Sequence, residues 1–261
     1  MSPLNVIPGV SGALARLGTR LLDAVLPPHC LTCEAEVGQQ GTLCGACFSG
    51  LSFLTAPLCE HCGVPFRQAA MGPLCPACRA RPPAFAAARA ALRYDAGAQR
   101  LLLPFKYADR TELAGPLARH MARAGAALLD RAELIAPVPL HWRRQLARRY
   151  NQAGLLAARL ARLSGKPYAP RLLRRIRRTV PLGELGAAER EAALEGAFAL
   201  GRGTPARIAG RRVLLVDDVL TSGATTEACA RLLLTGGAAA VEVLAAARVP
   251  DPRIENAITG A

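Results

Sequence analysis

Aromatic side chains are scarce in this chain, at 4% of residues with a single tryptophan. Few rings are therefore available to stack on bases. Trp142 and Tyr150 stand among arginines, where a ring either grips a single strand or simply fills the core. Lysine is nearly absent, since of 33 basic residues only Lys106 and Lys166 are lysine. Arginine-rich usage partly reflects the base composition of the coding DNA, so position carries more weight than identity. Acidic residues number 19, which leaves a formal net charge of +14. Residues 141–178 hold twelve basic side chains and no acidic one. Such a segment suits a polyanion, either a phosphorylated small molecule or a nucleic acid, unless it is only a solvated helix face.

Long apolar runs are also missing. No stretch reaches the ~18 unbroken apolar residues of a membrane span. Residues 10–26 read instead as an amphipathic helix with Leu14, Leu17, Leu21 and Val25 on one face. This N-terminal segment, 1–27, lacks a basic start followed by a continuous apolar core, which argues against a signal peptide. The expected location is the cytoplasm.

Cysteine, in contrast, is plentiful and ordered. Eight of the nine cysteines form Cys-x-x-Cys pairs: Cys30/Cys33, Cys44/Cys47, Cys59/Cys62 and Cys75/Cys78. Each pair places two thiolates on one metal through a tight turn, and four thiolates close a tetrahedral structural zinc site. Eight make two such sites. Disulfides would need an oxidising compartment, and a redox dithiol would need a thioredoxin-like context. Sequential and interleaved pairing both remain open. His29 and His61 adjoin cysteines, but with eight thiols present they read as outer or surface groups. Cys229 stands alone and reads as a small core residue.

The most informative stretch is 213–226, Val-Leu-Leu-Val-Asp-Asp-Val-Leu-Thr-Ser-Gly-Ala-Thr-Thr. Residues 213–216 have no polar interruption, which fits a central parallel strand covered on both faces. Ligands on open parallel sheets sit beyond the carboxyl ends of the strands, so Asp217 and Asp218 arrive at the ligand edge. A carboxylate pair accepts hydrogen bonds from the vicinal hydroxyls of a ribose. Thr221, Ser222, Gly223, Ala224 and Thr225 then bring backbone N–H groups and hydroxyls to a helix start, which is an anion site. Gly223 lets backbone approach a phosphate closely. An ordinary strand–turn–helix with Ser and Thr caps is the plain alternative. The stretch resembles the phosphoribosyl pyrophosphate (PRPP) loop of the type I phosphoribosyltransferases.

Spacing predicts a zinc module over 28–81 that depends on metal to fold. A stiff linker follows at Arg81-Pro82-Pro83, then an α/β domain over 84–250 and a tail over 251–261. Strands are expected at 88–94, 133–140, 197–200, 213–216 and 241–247. Helices are expected at 112–129, 152–163 and 226–234. This alternation argues for a parallel sheet with crossover helices. The fold class is α/β, a Rossmann-like type I phosphoribosyltransferase-like domain preceded by a small double zinc-ribbon module.

Further segments extend the likeness: Phe-Lys-Tyr at 105–107, Pro-Val-Pro-Leu-His-Trp-Arg-Arg at 137–144, Arg-Arg-Tyr-Asn-Gln-Ala at 148–153, Arg177-Arg178-Thr179 and Glu189-Arg190. With the cysteine head, the chain resembles the ComF family of competence proteins from about residue 25 to 250. It departs from the family's usual pattern at Arg149, where glycine is common. It departs again at Val180-Pro181-Leu182, where Thr-x-Pro-Gln is common, and at Ala193, near a usual asparagine.

The resemblance implies a cytoplasmic protein that handles single-stranded DNA in natural transformation, with a pocket for PRPP and Mg²⁺. Lys106 is then a phosphate contact or a surface lysine. The 137–140 exit with Arg143 and Arg144 is a candidate pyrophosphate loop. Arg148 and Arg149 are candidate pyrophosphate or DNA contacts. Residues 179–190 are a closing loop, with Arg190 a pyrophosphate ligand or an exposed helix arginine. The alternative is an active phosphoribosyltransferase acting on a nitrogen acceptor. A third reading is a zinc-based adaptor that binds a DNA-processing protein.

Overall fold

The computed structural model describes residues 27–66, 72–140, 149–177 and 187–250. The expected N-terminal amphipathic helix, the basic stretch 141–148, most of the expected closing loop and the C-terminal tail lie outside these residues. The chain divides into two compact units, one ending at Ser49 and the other beginning at Gly50.

The first unit contains one cysteine ribbon. Its first knuckle is closed by Cys30 N–H donating to Ala35 O at 2.7 Å and Val37 N–H donating to Pro28 O at 2.9 Å. Glu34 turns the chain with φ of 62°. Its second cysteine pair leads into the short helix α1, Gly45–Ser49.

The second unit begins with a copy of that ribbon. Cys59 N–H donates to Val64 O at 2.8 Å, and Phe66 N–H donates to Pro57 O at 2.9 Å. Gly63, with φ of 69°, takes the place of Glu34. Helix α2, Pro76–Ala80, takes the place of α1. The two ribbons are thus tandem versions of one motif, as the double zinc-ribbon reading of the four Cys-x-x-Cys pairs expects.

The sheet domain follows directly. Strand β1, Ala87–Arg93, leads to helix α3, Ala96–Tyr107, whose N-terminus is capped by Asp95 accepting from Ala98 N–H at 3.1 Å. A 3₁₀ turn at Thr111–Leu113 precedes α4, Ala114–Ala124, and α5, Ala126–Arg131. The single helix expected over 112–129 is therefore broken at Gly125. There the backbone crosses β6, and a Cβ would sit 2.6 Å from Leu244 Cδ1. Strand β2, Leu134–Pro137, and α6, Gln152–Ser164, come next, with Gly165 ending α6 in the left-handed conformation.

A small antiparallel pair follows, β3 (Leu173–Arg175) with β4 (Phe198–Leu200), and α7 (Ala187–Leu194) lies between them in sequence. Strand β3 is absent from the sequence-based reading because three residues with two arginines carry no visible period. The short α8, Thr204–Ile208, leads to β5, Arg212–Leu220. Helix α9, Ala224–Thr235, and β6, Ala240–Arg248, complete the described chain.

Among the described residues the main sheet has four strands in the order β1-β6-β5-β2, all parallel. Val213, Leu214, Leu215 and Val216 are all at most 1% exposed, which fits a central strand covered on both faces. Alternate residues divide the core. Val213, Leu215, Val243 and Ala245 pack with Cys229 and Leu233 of α9. Leu214, Val216 and Leu244 alternate with these along β5 and β6. At the amino end of the sheet, Glu242 is buried and paired with Arg131 at 2.7 Å and Arg212 at 3.4 Å. Its charge is therefore compensated far from the ligand edge. No helix among the described residues is long and apolar enough to cross a membrane.

Candidate functional site

Strand β5 continues past its apolar run because β6 runs alongside, with Val219 opposite Ala247 and Leu220 opposite Arg248. The acid pair thus lies inside the strand rather than after it. Asp217 Oδ1 accepts from Asp218 N–H at 2.8 Å. Lys106 Nζ, from the last turn of α3, lies 3.3 Å from Asp218 Oδ2, and both side chains are 15% exposed. Burial and the neighbouring Asp218 push the Asp217 carboxyl up to about 8, with the Asp218 amide and Lys106 pulling the other way.

The loop 221–223 then turns into α9. Gly223 has φ of 82°. A Cβ there would meet Thr226 Oγ1, Phe85 Cε1 and Leu220 Cδ1 at 3.8–4.0 Å, ordinary contact distances. The left-handed backbone is therefore what demands glycine. Thr226 Oγ1 donates to Gly223 O at 2.8 Å, and Glu227 N–H donates to the same oxygen at 2.8 Å. The preceding first-turn amides have no carbonyl one turn earlier, which is the geometry that receives an anion. Thr221 and Ser222 are exposed, while Gly223, Ala224 and Thr225 are partly buried. Glu227 fixes the linker, accepting from Ala84 N–H at 2.8 Å.

Three separated segments converge beside the acid pair. Val138 N–H donates to Val216 O at 2.9 Å, so the 137–140 exit lies next to the acid pair. Asn151 Nδ2 donates to Val138 O at 3.1 Å. Tyr150 Oη donates to Phe105 O at 2.6 Å, and Gln152 Nε2 donates to Lys106 O at 3.4 Å. Tyr150, Asn151 and Gln152 therefore clamp both the proline exit and the end of α3 that carries Lys106. From sequence alone Tyr150 reads as a stacking ring or a core residue, and this clamp is not visible. Its signal was three consecutive polar-capable residues just before a helix, which do not reveal distant carbonyl partners.

The basic candidates separate. Arg149 has φ of 60°, a left-handed backbone that explains why glycine suits this position. Its guanidinium is 80% exposed and pairs with Asp109 at 2.8 Å. Arg143, Arg144 and Arg148 lie outside the described residues. Arg190 falls in α7, and its side chain lies outside the description.

The cysteines group sequentially, Cys30, Cys33, Cys44 and Cys47 in one set and Cys59, Cys62, Cys75 and Cys78 in the other. Within each set the sulfurs lie within 4.8 Å of one another. Sulfurs at ~2.3 Å from a tetrahedral zinc stand ~3.8 Å apart. Cys33 and Cys44 Sγ are 3.6 Å apart, and Cys62 and Cys75 Sγ are 3.7 Å apart. In each ribbon a backbone amide supports the first sulfur, Cys44 N–H to Cys30 Sγ and Cys75 N–H to Cys59 Sγ, both at 3.3 Å. Both sets fit structural zinc, which would supply folding free energy. Cys229 is fully buried in the core beneath α9, as a small core residue should be. Burial and Asp217 hold its thiol well above its ordinary range.

Comparison with known proteins agrees with both halves. Residues 21–83 match the double zinc ribbon domain, and residues 163–257 match the phosphoribosyl transferase domain. The fold and the acid-pair loop thus define a phosphoribosyltransferase-type domain behind a double zinc ribbon. DNA utilization protein YhgH of Escherichia coli (strain K12) is 32% identical over 227 residues, which covers 84% of this chain and 96% of that protein. The Salmonella typhimurium protein of the same name is 31% identical over 225 residues with the same coverage. Competence protein F of Haemophilus influenzae is 30% identical over 234 residues, again covering 84% and 96%. The chain belongs to the ComF family. Among solved structures, orotate phosphoribosyltransferase from Aeropyrum pernix is similar with a TM-score of 0.36 at 17% identity, covering 66% of this chain and 86% of that one.

Proposed function

We propose that the chain is a cytoplasmic DNA-handling protein that engages single-stranded DNA during uptake and binds PRPP with Mg²⁺ in the pocket at 217–225. The observation that carries the reading is the Asp217–Asp218–Lys106 constellation beside an anion-ready helix start. It stands in a chain whose relatives, matched over 96% of their length, are named for DNA utilization and competence. In this reading the two carboxylates receive the ribose hydroxyls, and the loop amides and hydroxyls of 221–225 receive the phosphate. Mg²⁺ would neutralise the pyrophosphate.

Charge supports the DNA half. Helices α4 and α6 pack against each other. They expose Arg119, Arg123, Arg159 and Arg162, and neither helix contains an Asp or Glu. A phosphate backbone meeting these two helices would find exposed cations. Fluorescence anisotropy of a labelled single-stranded oligonucleotide, titrated across a salt series with and without Mg²⁺ and PRPP, tests the reading. Affinity falling steeply with salt is expected, with a shift on adding PRPP. No binding at low salt would overturn it.

The second reading is phosphoribosyl transfer, favoured by the same intact pocket. An acceptor nitrogen would form a bond to the anomeric carbon as the bond to pyrophosphate breaks, and the acceptor's proton would pass to solvent or a base. Pyrophosphate release with a panel of nitrogen acceptors decides between the two.

A further inference from the structure

The two zinc centres are built alike, but the second is woven into the sheet domain. The outer edge of β1 is closed by the chain around that ribbon. Leu54 N–H donates to Ala91 O at 3.0 Å, Arg93 N–H to Ser52 O at 2.8 Å and Ala88 N–H to His61 O at 2.5 Å. Gly63, in the knuckle, sits so close that a Cβ would lie 2.3 Å from Ala88 O.

Charge makes a second connection. Four thiolates around a divalent zinc carry a net charge of −2, and burying such a group is costly without a counter-cation. Cys59 and Cys75 are fully buried, and Cys78 is 5% exposed. Arg248, at the carboxyl end of β6, is itself only 8% exposed. Its Nη1 donates to Cys62 O at 2.7 Å. Among the described residues its Nε lies buried without a hydrogen-bond partner. A buried guanidinium favours a nearby anion, and Cys62, whose carbonyl it binds, belongs to the thiolate set.

The same residue reaches the phosphate loop. Arg248 stands opposite Leu220, and Val249 N–H donates to Leu220 O at 2.9 Å. Leu220 directly precedes Thr221, and its Cδ1 lies 4.0 Å from where a Cβ on Gly223 would sit.

We propose that the second zinc centre braces the 221–225 loop through Arg248, which acts as the cluster's counter-cation and as a positioning residue for the pocket. Ligand affinity therefore depends on occupancy of the Cys59 set and not of the Cys30 set. The affinity part rests on the pocket reading above, whereas the brace itself does not.

The test uses the full-length, zinc-loaded protein. Zinc release to a chromophoric chelator is followed for wild type, Arg248→Met, Arg248→Lys and, as a control in the first ribbon, Cys33→Ser. Hydrogen exchange of the 219–226 amides is measured in parallel without ligand, and PRPP affinity by calorimetry. Arg248→Met should speed one of two release phases at least tenfold, speed exchange in 219–226 and weaken PRPP binding about tenfold. Arg248→Lys should recover part of the release rate, and Cys33→Ser should leave both loop readouts unchanged. If Arg248→Met does not fold, chelator treatment of wild type gives the same exchange readout. Unchanged release would overturn the counter-cation role, and unchanged exchange in 219–226 would overturn the brace. Absence of PRPP binding in wild type would sink the pocket reading while the release and exchange arms still judge the brace.

Discussion

Lys106 and Asp218 meet at 3.3 Å although one ends α3 and the other sits in β5. Both are mostly buried, so this contact is not a solvent-screened surface pairing. Replacing Lys106 with Met keeps the aliphatic stem and removes the charge. PRPP affinity should fall about tenfold to a hundredfold, in line with the ~1.5–3 kcal/mol of a charge-assisted bond. Calorimetric titration checks this, and an unchanged affinity would return Lys106 to the status of a structural lysine.

Changing Asp217 and Asp218 together to Asn should abolish PRPP binding while leaving the zinc content at two per chain. In the proposed reading the acid pair holds the ribose hydroxyls, and an amide offers one oxygen where a carboxyl group offers two. Metal analysis beside the titration separates a lost pocket from a lost fold.

The pH dependence of stability should carry a signature of Asp217. Its carboxyl is pushed up to about 8 in the fold by burial and by Asp218, against ~3.9 in the unfolded chain. The native state therefore holds an extra proton between those values. The resulting stability is present below about pH 4 and is lost as pH rises through about 8. Asp217→Asn lacks this loss, so its melting temperature relative to wild type should rise from pH 5 to about 8 and level off above that. A flat difference would contradict the raised carboxyl.

Gly63 and Gly41 share a left-handed backbone, with φ of 69° and 75°. Only Gly63 faces a backbone oxygen, at 2.3 Å from a would-be Cβ, while nothing lies within 4 Å of Gly41. Gly41→Ala should cost about 1–2 kcal/mol from backbone strain alone. Gly63→Ala should cost about 2–4 kcal/mol, because the knuckle must also leave β1. Thermal melts of the two variants should rank in that order. Glu34, at the matching place in the first ribbon, shows that the turn itself tolerates a side chain.

The local patterns were readable from the chain alone. Four Cys-x-x-Cys pairs announce metal because thiolate spacing is a local property. The run 213–216 announces a buried strand because an unbroken apolar run is a local property too. What lay beyond reach depends on contacts between distant segments. Sequential grouping of the cysteines, the break at Gly125 against Leu244, and the Tyr150–Asn151–Gln152 clamp all depend on which backbones meet. The union of the second ribbon with β1 is of the same kind. Arg248 shows the limit most clearly. In sequence it is one arginine among many, and its charge acquires meaning only where the fold buries it beside Cys62 and opposite Leu220.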